Sequence, residues 1–489
     1  MAVDRLRAAE EMQAQRAEAF SAFRAFVTRL HFYVGLFVGP FIFVAALSGV
    51  LYVLTPQLED WLYREQLQVE GPAPGGPLGQ LPSQPLSAQI AAARAAAGPG
   101  DRLFAVRPAT APGLTTRVML RGPGLGESES RVIFVDPATL AIRGDMTAYG
   151  TSGVLPLRTT LDYLHRNLLM GDIGRHYSEL AASWLWIAVI GGLLLWFWRR
   201  RMPKLQTSRV RGGRARRLHS LIGLWLAVGL LFLSVTGLTW SRWAGSNIDL
   251  FRNTVGWVTP SVNLALKGPA APVSEHADHQ GMPGMVAQPS PAPSLPEAVL
   301  AAQIDAVVAA AKTGGLGSAM LEIRPPKAQG QAWLVSEYDR RWPTQVDTVA
   351  IDPDSLAITS RADFASFPVI AKLIRWGIDA HMGVLFGFAN QLLMAAIGLA
   401  LMMMIAYGYR SWWLRRPAPG ASARTLGRAF ALMPGLFQVG VVVVTLAVGV
   451  ALPVMGASLV VFLMIDLLRS AFAEMAAQDR RHGLPPGQG

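Results

Sequence analysis

The chain contains no cysteine among its 489 residues. It therefore has no disulfide, no thiolate zinc site, no iron–sulfur cluster, no CxxCH haem attachment and no catalytic thiol. Any metal chemistry falls to its eight histidines, its carboxylates and its methionines. Charge is scarce as well, because only 16% of residues are charged and soluble domains usually carry about a quarter. This composition argues against a purely soluble protein.

Motifs for nucleotide binding and for hydrolysis are also missing. No G-x-G-x-x-G opens a helix after a strand, no P-loop occurs, and neither H-E-x-x-H nor a Ser-His-Asp order is apparent. The net charge is +12, but the basic residues cluster beside apolar runs, which favours a lipid surface over nucleic acid. We expect a lipid bilayer as a partner and no nucleic acid.

Uncharged apolar runs long enough to cross a bilayer recur along the chain. A hydrocarbon core about 30 Å thick requires roughly 20 apolar residues as a helix. The run from Ala429 to Ile465 is too long for one span, and Pro453 with Gly456 divides it. We therefore predict a polytopic α-helical membrane protein whose spans cover residues 32–54, 180–198, 220–240, 382–409, 430–452 and 454–468.

Lysine and arginine in the short connecting segments predict the orientation. Segments 199–218 and 410–428 are rich in arginine and belong in the cytoplasm by this rule. No A-x-A cleavage pattern precedes the first span, so we interpret that span as a retained anchor. Residues 56–178 and 241–380 are then extracytoplasmic, while the N-terminal helix at 1–31 and the tail at 469–489 are cytoplasmic.

The same unit occurs twice in the chain. Arg29-Leu30-His31 followed by Gly35-Leu36 is matched by Arg217-Leu218-His219 and Gly223-Leu224, at an offset of 188. The turn segments 135–142 and 351–358 match at an offset of 216, which also relates His165 to His381. The second copy is therefore the longer one, and its extra length coincides with a Pro-rich insert at 268–296. We predict a four-helix core of two parallel repeats, related by an axis along the membrane normal, plus two C-terminal helices.

Each outer segment carries the pattern of a small α+β domain. A helix with apolar periodicity, at 86–97 or 295–311, precedes alternating segments typical of strands. Asp-Pro after the last of these segments favours a turn. The predicted strands are 117–120 with 131–135 in the first copy, and 332–336 with 348–351 in the second.

Repetition changes how the histidines are interpreted. A lone histidine beside a span is often merely interfacial. However, the repeat axis places His31 and His219 at one depth near the cytoplasm, and His165 and His381 at one depth near the outer surface. Two imidazoles that face each other across a bundle can ligate one haem iron from both sides.

The combined motifs resemble a known family. The R-L-H-x3-G-L spans, the D-P-x-[TS]-L turns and the L-H-R-x-L-L-x-G-x-x-G run at 164–174 are similar to those of PepSY-associated transmembrane proteins, over about residues 25–418. That family includes bacterial iron-regulated inner-membrane proteins and haem-containing ferric-siderophore reductases. The resemblance implies PepSY-like outer domains and b-type haem held by paired histidines, with electrons carried outward to chelated ferric iron.

On this resemblance we expect a ferric-siderophore reductase of the bacterial inner membrane with two haems b. The axial ligands are expected to be His31 with His219 and His165 with His381, because one cofactor cannot carry electrons across a core about 30 Å thick. Since no nucleotide-binding domain is found, the electron donor must be a separate cytoplasmic reductase or membrane quinol. The substrate is a ferric siderophore or another ferric chelate, although free ferric ion or copper stays open.

Other residues are weaker candidates. His176 lies eleven residues after His165 and is expected to replace or support it at the outer haem. His276 and His279 suit a copper or iron site by composition, but we favour a disordered insert because of the Pro and Gly around them. His482 lies in a polar tail and is expected to be solvated. Arg166, Arg175 and Arg375 are candidates for haem propionates or an anionic chelate, or for ordinary surface charge.

Two other functions stay open. A non-enzymatic membrane scaffold or regulator would bind a periplasmic peptide or partner through its outer domains, and would tolerate substitution of the histidines. A secondary transporter would use intramembrane histidines as proton relays, which the parallel repeats suggest. The near absence of charge within the spans and the lack of a broken-helix pair argue against the transporter.

Overall fold

A computed structural model describes residues 2–69, 82–126, 128–150, 153–201, 212–266, 296–416 and 425–481. The chain divides into two units. We call residues 1–50, 163–252 and 393–489 the membrane unit, and residues 51–162 and 253–392 the sheet unit.

The helices and strands follow each other in a repeating order along the chain. A π-helical segment, Val34–Val38, joins the first two helices, and a 3-10 turn, Phe364–Ser366, precedes the eleventh. The helices are α1 (Ala2–Tyr33), α2 (Gly39–Val53), α3 (Thr55–Leu62), α4 (Arg64–Leu67), α5 (Leu86–Ala96), α6 (Pro156–Asn167), α7 (Gly171–Arg201), α8 (Gly213–Leu238), α9 (Trp243–Thr254), α10 (Glu297–Thr313), α11 (Val369–His381), α12 (Gly387–Leu414), α13 (Leu426–Ala431), α14 (Gly435–Ala451) and α15 (Pro453–Arg481). The strands are β1 (Arg102–Arg107), β2 (Thr116–Arg121), β3 (Glu129–Val135), β4 (Ile142–Tyr149), β5 (Leu321–Arg324), β6 (Trp333–Glu337), β7 (Thr348–Ile351) and β8 (Ile358–Ala362).

Long apolar helices make this a multi-pass membrane protein. Within the described residues, five helices are long and apolar enough to cross a bilayer: Gln15–Val53, Gly171–Arg201, Gly213–Leu238, Gly387–Leu414 and Pro453–Phe472. The apolar helix Gly435–Ala451 is shorter, and its 17 residues reach only about 25 Å at 1.5 Å per residue. Five of the six predicted spans therefore correspond to full-length helices.

The helix ends differ from the predicted ends of several spans, among them the fourth and the sixth. The fourth was expected to begin at 382, but α12 begins at Gly387, because Gly383 and Gly387 adopt positive φ angles that interrupt the helix. The sixth was expected to end at 468, but α15 continues to Arg481. Asp466 is tolerated within this helix because its carboxylate is hydrogen-bonded. The helix continues because the following residues are rich in alanine, a strong helix former.

The C-terminal helices pack against the first two spans. Trp184 of α7 is almost fully buried, donates a hydrogen bond of 2.8 Å to the Ser458 hydroxyl, and lies 5.3 Å from the Phe462 ring centre. Asp466 is also buried and accepts a hydrogen bond of 2.6 Å from the Tyr33 hydroxyl. The same carboxylate accepts the backbone N–H groups of residues 426 and 427 at 3.0 and 2.7 Å. A polar group inside a bilayer needs such partners because lipid offers none.

One continuous sheet unites the two segments that were expected to be extracytoplasmic. Its strand order is β4-β3-β2-β1-β5-β6-β7-β8, and the two four-stranded halves are joined where Val106 pairs with Ile323. We expected two small α+β domains, and β2, β3, β6 and β7 lie where the alternating segments predicted strands, whereas β1, β4, β5 and β8 were not predicted. The halves nevertheless share one antiparallel sheet and one core, in which Ile90 of α5, Ile304 of α10 and Trp333 are fully buried.

The internal repeat extends to backbone detail at the two Asp-Pro turns. In the first turn the N–H of Leu140 bonds to the carbonyl of Asp136 at 2.9 Å, and in the second the N–H of Leu356 bonds to that of Asp352 at 3.0 Å. Leu140 and Leu356 both adopt a positive φ, 63° and 56°, which is uncommon for a residue other than glycine. The two sequence copies therefore fold as two structural copies.

Candidate functional site

Two histidines meet in the interior of the membrane unit. His31 of α1 and His219 of α8 have ring centres 6.2 Å apart, with an angle of 74° between the ring planes. The Nδ1 of His31 lies 2.9 Å from the carbonyl oxygen of Ala188, and that of His219 lies 2.8 Å from the carbonyl oxygen of Met404. A carbonyl oxygen can only accept, so each Nδ1 carries the proton and each Nε2 keeps a lone pair. Both imidazoles are therefore prepared to ligate a metal through Nε2.

The arrangement around the two histidines obeys the internal repeat. His219 follows His31 at the offset of 188, and Met404 follows Ala188 at the offset of 216, so the two offsets that relate the sequence copies recur here. Metal-ligating histidines usually donate their other N–H to a carbonyl or carboxylate that sets the ring orientation. Both copies therefore provide this second contact with the same kind of donor and acceptor.

Glycines permit the close packing of both imidazoles. A Cβ atom on Gly192 would lie 3.2 Å from Cε1 of His31, and a Cβ atom on Gly408 would lie 3.2 Å from Nδ1 of His219. These two glycines are also related by the offset of 216. A Cβ atom at either position would force the ring to move by a few tenths of an ångström, so glycine allows the close approach.

A cavity of about 450 Å³ contains the histidine pair. Its size is within the usual range of roughly 300–1,000 Å³ for ligand and cofactor sites. Apolar side chains form most of its wall, and none of the described residues that line it is acidic. Four arginines also line the cavity: Arg24, Arg199, Arg216 and Arg415. Sequence reasoning missed them as site residues, although the offset of 216 that relates the two glycines also relates Arg199 to Arg415.

A π-helical segment opens the wall of this cavity beside His31. Such segments are rare overall but recur at functional sites. Within it, Leu36 accepts a hydrogen bond of 2.7 Å from the Tyr409 hydroxyl through its carbonyl oxygen. Gly35 lines the cavity, and a Cβ atom there would meet nothing within 4 Å. The π-helical segment therefore leaves open space in the cavity at Gly35.

The residues present fit a haem. A metal–imidazole bond is about 2 Å long, so two imidazoles on opposite sides of one metal ion have ring centres roughly 6 Å apart, as His31 and His219 do. Each axial ring plane contains the ligand axis and can rotate about it, so the angle of 74° is compatible. Among the described residues, no group of three or more His, Asp or Glu side chains is placed to hold a bare ion. A porphyrin needs only two protein ligands, because it provides the other four.

His165 has the surroundings of a second ligand. The Ser48 hydroxyl donates to the carbonyl oxygen of Val44 at 2.8 Å and lies 3.1 Å from Nδ1 of His165. When its hydrogen is donated to the Val44 carbonyl, the hydroxyl oxygen accepts from Nδ1–H, which is the tautomer with a lone pair on Nε2. A Cβ atom on Gly49 would lie 3.3 Å from Cε1 of this ring, so a glycine again allows the approach.

His381 ends α11 in the sheet unit, whereas His165 belongs to the membrane unit. Their pairing at one haem stays a prediction. Asp379, two residues before His381, is fully buried and forms ion pairs with Arg340 and, at 3.2 Å, with Arg375. These ion pairs hold the end of α11 that carries the histidine.

His176 has a partner at each of its two ring nitrogens. Its Nδ1 lies 3.0 Å from the carbonyl oxygen of Ile173, and its Nε2 accepts a hydrogen bond of 3.3 Å from the indole N–H of Trp243. Both ring nitrogens are therefore occupied, which argues against the expected supporting role at the outer haem.

The remaining sequence candidates have other contacts or lie elsewhere. Arg166 stacks over the Tyr163 ring at 5.3 Å, and Arg175 donates to the carbonyl oxygen of Trp240 at 3.3 Å. Arg375 forms the ion pair with Asp379 described above. His276, His279 and His482 lie outside the described residues.

Comparisons with known proteins give one clear result. No curated protein matches the chain. Residues 28–415, which include all four expected haem ligands, match a family model described as the PepSY-associated TM region. Because this match covers well over half of the chain, the protein belongs to the PepSY-associated TM region family.

Proposed function

We propose that the protein is a haem-b oxidoreductase of the bacterial inner membrane that reduces a ferric siderophore or another ferric chelate in the periplasm for iron uptake. The observation that carries this proposal is the His31–His219 pair, whose Nε2 atoms are both left available by backbone carbonyls. A symmetric pair of oriented imidazoles in an apolar cavity is the ligand set that b-type haem requires.

The protein's own contribution is to hold and orient the ligands. His31 and His219 would bind the haem iron, and the carbonyl oxygens of Ala188 and Met404 keep both rings in the tautomer that ligates through Nε2. The apolar wall excludes water and lowers the local dielectric. When bound, haem supplies one-electron exchange between the ferric and ferrous states.

Transfer across the membrane requires a second site. His165 is oriented by Ser48 as a ligand would be, and we propose that it forms the outer haem site with His381. A relay of two sites is needed because the apolar core is about 30 Å thick. Electrons would enter at the His31–His219 side from a separate cytoplasmic reductase or from quinol, with both chain termini in the cytoplasm.

The chemistry of the substrate explains why reduction releases iron. The hard oxygen ligands of siderophores suit Fe(III) much better than Fe(II). One electron delivered to the chelated Fe(III) gives Fe(II), which the chelate holds weakly. The protein needs no hydrolytic residue for this step, and redox potential and access to the outer surface govern it.

The test is the absorption spectrum of detergent-purified protein, air-oxidised and then reduced with dithionite, with haem quantified per chain. We expect the reduced α-band of bis-histidine haem b and a stoichiometry near two. His31→Ala and His219→Ala should each remove about one haem per chain, whereas His176→Ala, the matched histidine control, should remove none. Colourless protein from haem-sufficient cells would overturn the proposal.

The same experiment separates the alternatives. A scaffold or regulator that binds a periplasmic partner would contain no haem, and substitution of the histidines would leave its partner binding intact. A proton-coupled transporter would also lack haem but would lose transport in the His31 and His219 variants. Reduction of a ferric chelate by the haem-loaded protein, followed as formation of ferrous iron, tests the proposed substrate.

A further inference from the structure

One end of the cavity concentrates positive charge. Arg24, Arg199, Arg216 and Arg415 line it, and none of the described lining residues is Asp or Glu. Like charges that share a low-dielectric cavity repel each other and destabilise the fold. Arg415 also donates to the carbonyl oxygen and the hydroxyl of Ser411 at 3.1 and 2.8 Å. These neutral partners do not cancel its charge, whereas anionic groups of a bound ligand would.

The arginines lie on the same side of the histidine pair. Arg24 precedes His31 by seven residues, about 10 Å along the helix, and Arg216 precedes His219 by three. Arg199 lies in α7 and Arg415 lies just after α12. Each follows by seven residues the glycine that packs against a histidine. Because Arg24 and Arg216 precede the histidines, and Arg199 and Arg415 follow the glycines on the helices packed against them, all four arginines are on one side of the pair.

Two of these arginines obey the symmetry of the histidine pair. Arg415 follows Arg199 at the offset of 216, as Gly408 follows Gly192 and Met404 follows Ala188. The axis that exchanges His31 with His219 therefore also exchanges Arg199 with Arg415. A twofold axis in the plane of a porphyrin exchanges the two sides on which its axial ligands bind. The same axis can exchange the two propionates.

We propose that Arg199 and Arg415 each bind one propionate carboxylate of the haem held by His31 and His219, with Arg24 and Arg216 adding positive charge at the same end. This inference rests on the proposed function, since it concerns the orientation of that haem. Guanidinium groups bind carboxylates through two parallel hydrogen bonds, so the arginines would direct the propionates toward the basic ends of the helices. A phospholipid phosphate offers the same anionic oxygens and is the other source of such a ligand.

Neighbouring arginines provide matched controls. Arg200 stacks over the Trp196 ring at 4.6 Å, and Arg416 stacks over the Trp413 ring at 4.4 Å. Neither lines the cavity, although each is adjacent to a proposed propionate ligand and carries the same charge. The double variant Arg200→Gln/Arg416→Gln therefore removes equal charge from the same helix ends without changing the cavity.

The experiment compares Arg199→Gln/Arg415→Gln with that control, using full-length protein purified from haem-starved cells and reconstituted in detergent. The probes are haem b and its dimethyl ester, in which both carboxylates are masked. We expect the cavity variant to bind haem b about tenfold more weakly or worse, because each charge-assisted hydrogen bond contributes more than a neutral one. The ester should bind the variant and the parent protein alike.

The midpoint potential gives an independent readout. Removing positive charge beside the haem favours the ferric form, so the potential of the cavity variant should move to more negative values while its bis-histidine α-band is retained. Arg199→Lys/Arg415→Lys, which keeps the charge, should stay close to the parent protein. The control variant should not shift.

Three results distinguish the possible failures. If the cavity and control variants bind haem b equally well and show the same potential, the inference is overturned although the proposed function stands. If the cavity variant loses bound phospholipid while its affinities for haem b and for the ester change by the same factor, the arginines bind lipid phosphate instead of propionates. If the parent protein binds neither probe, the proposed function itself fails.

Discussion

Gly408 offers a sharp test of the geometry around His219. A methyl group at this position would lie 3.2 Å from Nδ1 and 3.3 Å from Cε1 of the imidazole. Both distances are shorter than ordinary van der Waals contacts, which begin at about 3.5 Å. In the variant Gly408→Ala the ring must therefore move by a few tenths of an ångström, away from the position set by its 2.8 Å hydrogen bond to Met404.

The size of the effect follows from how narrowly a metal site tolerates such a movement. Ligand distances in metal sites vary by only about 0.2 Å, and disturbing the contacts that orient a ligand usually costs roughly 10–100-fold in affinity. We therefore expect haem binding to weaken by this factor, which corresponds to about 1.4–2.7 kcal/mol. The fold should not suffer, because alanine is more favourable than glycine inside a helix by about 0.5–1 kcal/mol.

The assay is the rate at which purified protein loses haem to an excess of a high-affinity haem acceptor, with the low-spin spectrum recorded in parallel. Gly408→Ala should lose one of its haems about 10–100-fold faster, and Gly192→Ala should behave alike by symmetry. Gly440→Ala is the control, because a Cβ atom there would meet nothing within 4 Å. Unchanged retention in Gly408→Ala would refute the assignment of His219 as a ligand with this orientation.

Three further outcomes are expected. Glu322→Gln leaves buried Arg107 without its counter-charge and should destabilise the sheet by about 3–5 kcal/mol. Amide hydrogen exchange of β1 and β5 measures this loss. The control is Asp145→Asn, which breaks a more exposed ion pair and should cost about 1 kcal/mol or less. The backbone N–H of residue 98 and Arg131 lower the pKa of Asp101, and although burial opposes ionisation of Glu322, two arginines lower its pKa as well. The two ionised carboxylates stabilise the folded sheet fully above their unfolded pKa values, which are near 4, and this stabilisation is lost as pH falls through their lower folded pKa values. Hydrogen exchange measured against pH should therefore show constant protection of the sheet at neutral pH and falling protection below about pH 4. Asp466→Asn replaces one of two carboxylate oxygens, which together accept from three donors, with an NH2 group that cannot accept. It should destabilise the packing of α13–α15 by about 1–3 kcal/mol, which limited proteolysis of the C-terminal helices measures; unchanged cleavage would contradict the bridging role.

The repeat made the principal histidine pair predictable. His31 and His219 occupy equivalent positions in two copies of one motif, and a protein built from two parallel copies brings equivalent positions toward a common axis. The same arithmetic applies to Arg199 and Arg415, which were overlooked because their arginine-rich segments were used only to assign orientation. His176 has no such equivalent, and the structure pairs it with Trp243 instead.

Hydropathy indicated the membrane spans, and alternation indicated four of the strands. Apolar runs of sufficient length indicated the spans because lipid requires internally satisfied backbone groups. Alternating residues indicated the strands because the two faces of the sheet meet different surroundings. Helix ends were harder, since Gly383 and Gly387 end a helical path by their φ angles and not by any change in hydropathy.

Only the tertiary structure revealed the contacts that depend on backbone atoms. The carbonyl oxygens of Ala188 and Met404 orient the histidines. Every residue type has a backbone carbonyl, so the position of a residue in the fold decides this contact, and the identity of its side chain does not. The junction of β1 with β5 is a backbone pairing that likewise leaves no pattern in the sequence. The repeated residues determined which groups are available for the site, and the packing of the helices decided which nitrogen of each histidine faces the cavity.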